Sequence, residues 1–220
     1  MNTSTAQGPI EPRTANLHDW ALSCARAGTR GFPPRHTTAI LDKRTQLDDA
    51  RTEAWNTLRE AVIDRGLVLM TGPNGHGKTH MVTLLGVMWD HRGYPGEIRY
   101  WPANDLIGAQ MRWFDRKRDG DGRVIESPDE IARRAGLLVL DQLNELRSGS
   151  EYSRTSFVAL IDHRYRAGLP TVLVTNQTAE HVFDSVLGGD MERIKEGGCV
   201  IVCEWDNYRD RMMVARNEDG

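Results

Sequence analysis

The chain has 220 residues, 39% of them hydrophobic and 27% charged, with a formal net charge of -3. That length holds one α/β domain with a fully buried sheet and short appendages at either end, rather than two full domains. The small negative charge excludes a global attraction to nucleic acid or to anionic membrane, so any DNA contact has to come from a local patch.

Residues 1–13 are polar, and apolar runs such as Leu137 to Leu140 are far too short to cross a bilayer. A cytoplasmic protein with no membrane partner is expected. Residues 1–30 read as a tail with one docking helix from Leu17 to Ala27, before Gly31-Phe-Pro-Pro34 breaks the chain ahead of the main body at 31–215; residues 216–220 read as a C-terminal tail. From Asp48 to Ile63 the apolar residues Ala54, Trp55, Leu58, Ala61 and Val62 recur at helical spacing, and Gly66 ends that helix.

Leu67-Val-Leu-Met70 is too short for a helix and reads as a buried strand. The next helix carries Met81, Leu84, Leu85 and Met88 on one stripe, and Glu97 to Trp101 forms a second strand. Helices follow around Leu106 to Phe114 and from Ser127, an N-cap with Pro128 at the first helical position and Glu130 at the capping-box position. Leu137 to Leu140, Thr171 to Val174 and Val200 to Val202 are three further strands, with a helical pattern through Phe157, Leu160, Ile161 and Tyr165 between them. Strands alternating with helices predict an α/β fold: a mainly parallel five-stranded sheet flanked by helices on both faces. Cys24, Cys199 and Cys203 form no CxxC pair and read as buried thiols, the last two on one face of a strand.

Gly72-Pro73-Asn74-Gly75-His76-Gly77-Lys78-Thr79 matches the P-loop pattern in full and lies between a strand and a helix, the context that the pattern requires. Its glycines let backbone N–H groups close around phosphates, and the new helix turns its positive end to them. Lys78 is expected on the β- and γ-phosphates of ATP, and the Thr79 hydroxyl on magnesium. Asp141 ends its strand where an acid would hold the hydration shell of that magnesium, the Walker B reading; a helix-capping aspartate is the alternative. The following residue is Gln142 where many ATPases carry a second acid. A glutamine orients water but accepts no proton, so slow hydrolysis is expected, or help from Glu145 or a partner. Asn176 stands at the end of a further strand, either within reach of the γ-phosphate or as a loop cap.

Gly77-Lys-Thr-His80, Leu-Val-Leu-Asp141, Ile161-Asp-His-Arg-Tyr165, Val174-Thr-Asn176 and Trp205-Asp-Asn-Tyr-Arg209 together resemble the DnaC/IstB-like AAA+ ATPases, bacterial replicative-helicase loaders and transposase helpers. The likeness runs from about Phe32 to Arg211. It implies an AAA+ fold for 31–215, a sensor role for Asn176, a trans-acting finger for Arg193, a second sensor arginine at Arg209, and His80 among the nucleotide-contacting residues. A guanidinium grips phosphate oxygens with two parallel hydrogen bonds, the chemistry that both arginine roles need. The resemblance further implies a homo-oligomer with ATP at subunit interfaces, single-stranded DNA as ligand, and a replicative DNA helicase or a transposase as partner. Between the Walker motifs, Arg112, Trp113, Arg116, Lys117, Arg118 and Arg123 form a basic cluster with aromatics, suited to DNA; a solvated charged face is the alternative. The N-terminal segment is shorter than the partner-binding domain usual in such proteins, as a phage or mobile-element version would have it. A non-hydrolysing adaptor or inhibitor and, more distantly, a phosphotransferase complete the alternatives.

Overall fold

The computed structural model describes residues 17–42, 45, 47–64, 66–115, 122, 124–148, 151–182 and 197–206. The five short apolar runs become strands: β1 Leu67–Thr71, β2 Ile98–Pro102, β3 Leu137–Asp141, β4 Thr171–Val174 and β5 Cys199–Val202. They form one sheet in the order β2-β3-β4-β1-β5, with every neighbouring pair parallel. Interior strands of a parallel sheet are covered on both faces, and every residue of β1, β3 and β4 is buried. The edges differ: Val200 and Val202 of β5 are 39% and 52% exposed.

The helices are α1 Leu17–Thr29, α2 Pro34–Leu41, α3 Asp49–Asp64, α4 Lys78–His91, α5 Ala103–Asp115, α6 Pro128–Arg134, α7 Glu151–Arg166 and the single turn α8 Ala179–Val182; a 3-10 segment, Leu143–Ser148, follows β3. Strand side chains alternate between faces, and they feed two separate cores. Val68, Met70, Val139 and Val172 pack with α1 to α4, whereas Leu69, Leu138, Leu140 and Leu173 pack with α5 to α8. No helix among the described residues is long and apolar enough to cross a membrane.

Two local features explain how the second layer is held. Ser127 caps α6 as expected: its hydroxyl accepts the Glu130 N–H at 3.0 Å and the Glu130 carboxylate accepts the Ser127 N–H at 3.3 Å. At the other end of α6, Arg164 of α7 is wholly buried and donates to the carbonyls of Ala132, Arg133, Ala135 and Pro170 and to the Thr171 hydroxyl, at 2.7 to 3.1 Å. Burial without an acid partner pulls its pKa down to about 10. One guanidinium thus satisfies the final carbonyls of α6 and fastens α7 to the start of β4.

For the described part of the expected tail, residues 17–30, the separation from the body does not hold; residues 1–16 lie outside the described residues. Cys24 and Ala27 of α1 lie in the core, Arg26 pairs with Asp90 of α4 at 2.6 Å, and the Tyr100 N–H donates to the Arg30 carbonyl at 3.0 Å. Nor do Gly31 to Pro34 break the chain loosely. Phe32 is buried on Gly86, where an added Cβ would stand 2.4 Å from the ring, and α2 then starts at Pro34. Helix α1 is therefore part of the packed body. Cys24 and Cys203 are buried free thiols, and Cys199 is half-buried.

Because all strands are parallel, the loop after β1 and the ends of β3 and β4 open on one side of the sheet. The residues following β4 lie between the other two, since β4 is the strand between β1 and β3.

Candidate functional site

The loop from Gly72 to Gly77 connects β1 to α4. Gly72, Gly75 and Gly77 have φ of 131°, 87° and 86°, in the region where an L side chain is strained. Gly72 is required twice over, since a Cβ there would stand 2.4 Å from the Cys203 carbonyl oxygen. Gly77 begins α4 without a side-chain cap, so the N–H groups of the first turn face the cavity rather than a protein acceptor.

Lys78 is 7% exposed, and its ammonium donates to the carbonyls of Gly72 at 2.6 Å and Pro73 at 2.8 Å. Burial pulls its pKa down, while the charge of Asp141 acts the other way. Asp141 is 4% exposed and gathers three donors: Thr79 Oγ1 at 2.8 Å and Tyr100 Oη at 2.7 Å to Oδ2, and the Gln142 N–H at 2.7 Å to Oδ1. Tyr100 is itself buried, and burial first, then the charge of Asp141, drives its hydroxyl far above the usual phenol range, so it stays a donor. Gln142 alone among the described non-glycine residues has a positive φ, 60°. Thr175 is buried and bonded through its N–H to the Met70 carbonyl at 3.0 Å, which leaves Asn176 exposed between the loop and Asp141.

Lys78, Thr79, Asp141, Gln142 and Asn176 all line one cavity of about 990 Å³. Its opposite wall comes from α2 and the segment leading into α3, with Arg35, His36, Thr45, Leu47 and Arg51. Donor logic orders the polar groups there. Arg35 Nε is an obligate donor, to His36 Nε2 at 3.2 Å; neutral His36 then donates from Nδ1 to His80 Nδ1 at 3.3 Å, and His80 Nε2 donates to Thr45 Oγ1 at 2.9 Å. Burial lowers the pKa of His80, which favours this neutral arrangement.

A sequence profile described as IstB-like ATP binding protein matches residues 32–194. The chain belongs to this family. An ATP-binding protein of insertion sequence IS5376 from Geobacillus stearothermophilus is 27% identical over 186 residues, covering 81% of this chain and 69% of that protein. Among solved structures, the DnaC helicase loader superposes with a TM-score of 0.60 at 22% identity, over 78% of this chain and all of that one. AMPPCP-bound DnaA from Aquifex aeolicus gives 0.62 at 22% identity, over 80% of this chain. The IstB-like chain spans about half of that DnaA, 54% of its length. These likenesses fix the fold as AAA+, of the DnaC/IstB-like kind.

Within this IstB-like fold the predicted residues divide into four groups. Asn74, Gly75, Gly77, Lys78, Thr79 and His80 line the cavity, as do Asp141, Gln142 and Asn176. Gly72, Pro73 and His76 do not line it; the first two hold Lys78 through their carbonyls, and the His76 ring turns to donate from Nδ1 to the Cys203 carbonyl at 3.1 Å. Arg193, Arg209, Arg116, Lys117, Arg118 and Arg123 lie outside the described residues. Arg112 and Trp113 lie at the end of α5, away from the cavity lining, and the Trp113 indole closes on the Ile125 carbonyl at 2.6 Å.

Tyr100, Arg35, His36, Thr45 and Arg51 are parts of the site that sequence reading did not single out. Tyr100 carried a signal: it is two residues from Ile98 on the same face of β2, a polar-tipped aromatic just short of the strand end. Arg51 is 4% exposed, pairs with Asp48, donates to the Asp206 carbonyl at 2.5 Å and lies 5.7 Å from the centre of the Trp205 ring. The Trp205 indole donates to the His76 carbonyl at 2.7 Å, so residues after β5 brace the glycine loop from outside.

The arrangement fits a nucleoside triphosphate with magnesium. Left-handed glycines and an uncapped helix start offer N–H donors to phosphate, and Lys78 is a buried cation with only neutral carbonyls as acceptors. Thr79 Oγ1 and Asp141 Oδ2, 2.8 Å apart, are the hard oxygen pair that magnesium takes.

Proposed function

We propose that this IstB-like protein is an AAA+ ATP switch acting on DNA, which in the first reading assembles on single-stranded DNA and recruits a replicative helicase. The observation that carries the reading is the convergence of Lys78, Thr79 and Asp141 on one cavity, with Asn176 between them. On nucleotide binding, Lys78 exchanges the Gly72 and Pro73 carbonyls for β- and γ-phosphate oxygens. Thr79 and Asp141 would hold the magnesium, which when bound would neutralise charge on the phosphates. Asn176 reads the γ-phosphate from the end of β4. Gln142 orients a water without deprotonating it, so turnover is slow and the ATP-bound state is long-lived. Arg193 from a neighbouring copy and Arg209 from the same chain complete the phosphate contacts in this reading, which makes assembly and ATP binding mutually dependent.

DNA contact is assigned to the end of α5, where Arg112 and Trp113 lead into the basic residues Arg116, Lys117, Arg118 and Arg123. Phe114 and Tyr152 are both 46% exposed, with ring centres 6.3 Å apart, and Phe114 lies 5.4 Å from Trp113. Exposed rings beside cations suit stacked bases on a tracked backbone.

The IS5376 relative and the IstB-like profile favour a second reading, in which the same switch marks target DNA for a transposase. Steady-state ATP hydrolysis with single- and double-stranded DNA, in the native protein and in Lys78→Ala, tests the proposal. Turnover stimulated by single strands and abolished in Lys78→Ala is expected; stimulation by duplex alone would favour the transposition reading. Absence of ATP binding would overturn both.

A further inference from the structure

In the site described above, Asp141 is a carboxylate with almost no access to water and, among the described residues, no cationic partner in a hydrogen bond or ion pair. Three neutral donors hold it, and they come from three different parts of the chain: Thr79 in α4, Tyr100 in β2 and the Gln142 backbone after β3. The donors are not equivalent. If Thr79 Oγ1 becomes a ligand of magnesium, a lone pair turns to the metal while its O–H still donates to Asp141, so Thr79 then belongs to the metal's own ligand set. The Gln142 N–H fixes Oδ1 only. Among the described residues Tyr100 is then the side chain from outside the ligand set that holds Oδ2, the oxygen to which Thr79 is also bonded.

The strand register explains why a tyrosine at this position reaches. Pro102 is the residue opposite Asp141, and Tyr100 is opposite Val139, so Tyr100 starts two residues below the carboxylate. Two residues of strand rise about 6.6 Å, a distance that a phenol bridges when it points along the strand. Its ring cannot drift: Phe32 lies 5.2 Å away centre to centre, the Tyr100 N–H is bonded to the Arg30 carbonyl, and the side chain is 4% exposed.

We infer that Tyr100 is a positioning residue for magnesium, setting through its hydroxyl the rotation of Asp141 that the metal site requires. This rests on the reading of the cavity as an ATP·Mg site. Hydrogen bonds to a metal-binding carboxylate from outside the ligand set orient it, and losing one costs about 10- to 100-fold in metal affinity. Phenylalanine would fill the same space and pack on Phe32 in the same way, so the hydroxyl alone is at stake.

The experiment is a titration of magnesium against a fluorescent ATP analogue bound to the full chain, in the native protein and in Tyr100→Phe, with parallel titrations of the nucleotide in EDTA. Tyr100→Phe is expected to need at least about tenfold more magnesium for half-saturation, with nucleotide affinity in EDTA unchanged. Asp141→Asn closes a double-mutant cycle: with Asp141 replaced, removing the Tyr100 hydroxyl is expected to shift the magnesium requirement no further. The same magnesium requirement in native and Tyr100→Phe proteins would overturn the inference, and so would a shift that persists undiminished in the Asp141→Asn background. Should Tyr100→Phe fold only together with Asp141→Asn, the hydroxyl is coupled to the carboxylate, as inferred; failure to fold in both backgrounds makes Tyr100 a packing residue and overturns it. A native protein that binds no nucleotide with or without magnesium would instead remove the ATP reading itself.

Discussion

The two walls of the cavity are built differently. The sheet side, formed by the ends of β1, β3 and β4, is buried and closed: Lys78 and Asp141 are 7% and 4% exposed, and each has its hydrogen bonds satisfied by the scaffold. The opposite side, formed by α2 and the chain leading to α3, is partly open and is tied to His80 of α4 through Arg35, His36 and Thr45 bonded in series. The two walls divide the labour. Groups that must hold a fixed geometry sit on rigid strands, whereas the facing wall is held by a few polar contacts that a proton can interrupt.

The sharpest way to break that contrast is to unseat the outer wall from the body. Gly86→Ala drives a methyl into the Phe32 ring, on which the docking of residues 31–34 depends. Overpacking of this kind costs about 1–3 kcal/mol, so thermal denaturation should show a melting temperature lower by several degrees. An unchanged melting point would mean that Phe32 has room to shift.

Acid should act on the outer wall next. The pKa of His80 is lowered in the folded protein by burial, so the unfolded chain takes up the proton first. Stability from this group is present above the ordinary value of 6.5 and is lost as pH falls below it, towards the lower value of the folded state. Melting temperatures from pH 8 to pH 5 should fall on the acid side in the native protein, and less in His80→Gln. Equal slopes in both proteins would sink the assignment.

The smallest effect sharpens the other side. Gln142 holds a left-handed φ of 60° beside an otherwise relaxed strand end, and Gln142→Gly should remove about 1 kcal/mol of strain. Calorimetry should register a small rise in stability, offset in part by the extra freedom of glycine in the unfolded chain. A clear loss would mean that the side chain itself contributes contacts.

The sheet side was legible because its rules are local. A run of four apolar residues bounded by glycine, followed by GxxxxGKT, specifies strand, loop and helix within a dozen positions, and the acid at Asp141 follows from the length of its own strand. The capping box at Ser127 was readable for the same reason. The outer wall was not, because nothing near His36 in sequence announces that it will meet His80, 44 positions away. Helix α2 was missed where two prolines suggested a break; Pro34 instead took the first helical position, where its absent N–H costs nothing. Likewise the packing of residues 17–30 was hidden because the apolar face of α1 is narrow, and only its contact with α4 reveals that Cys24 and Ala27 are core. Tyr100 lay between these cases: its face of β2 could be counted, its partner could not.

The brace behind the glycine loop has a mechanical meaning. Trp205 grips the carbonyl of His76, His76 grips that of Cys203, and Arg51 clamps the same stretch through Asp206 and the Trp205 ring. The loop and the strand-end segment are thus geared together: neither can turn without driving the other, and a load applied at Asp206 passes through Trp205 to the His76 carbonyl of the phosphate loop.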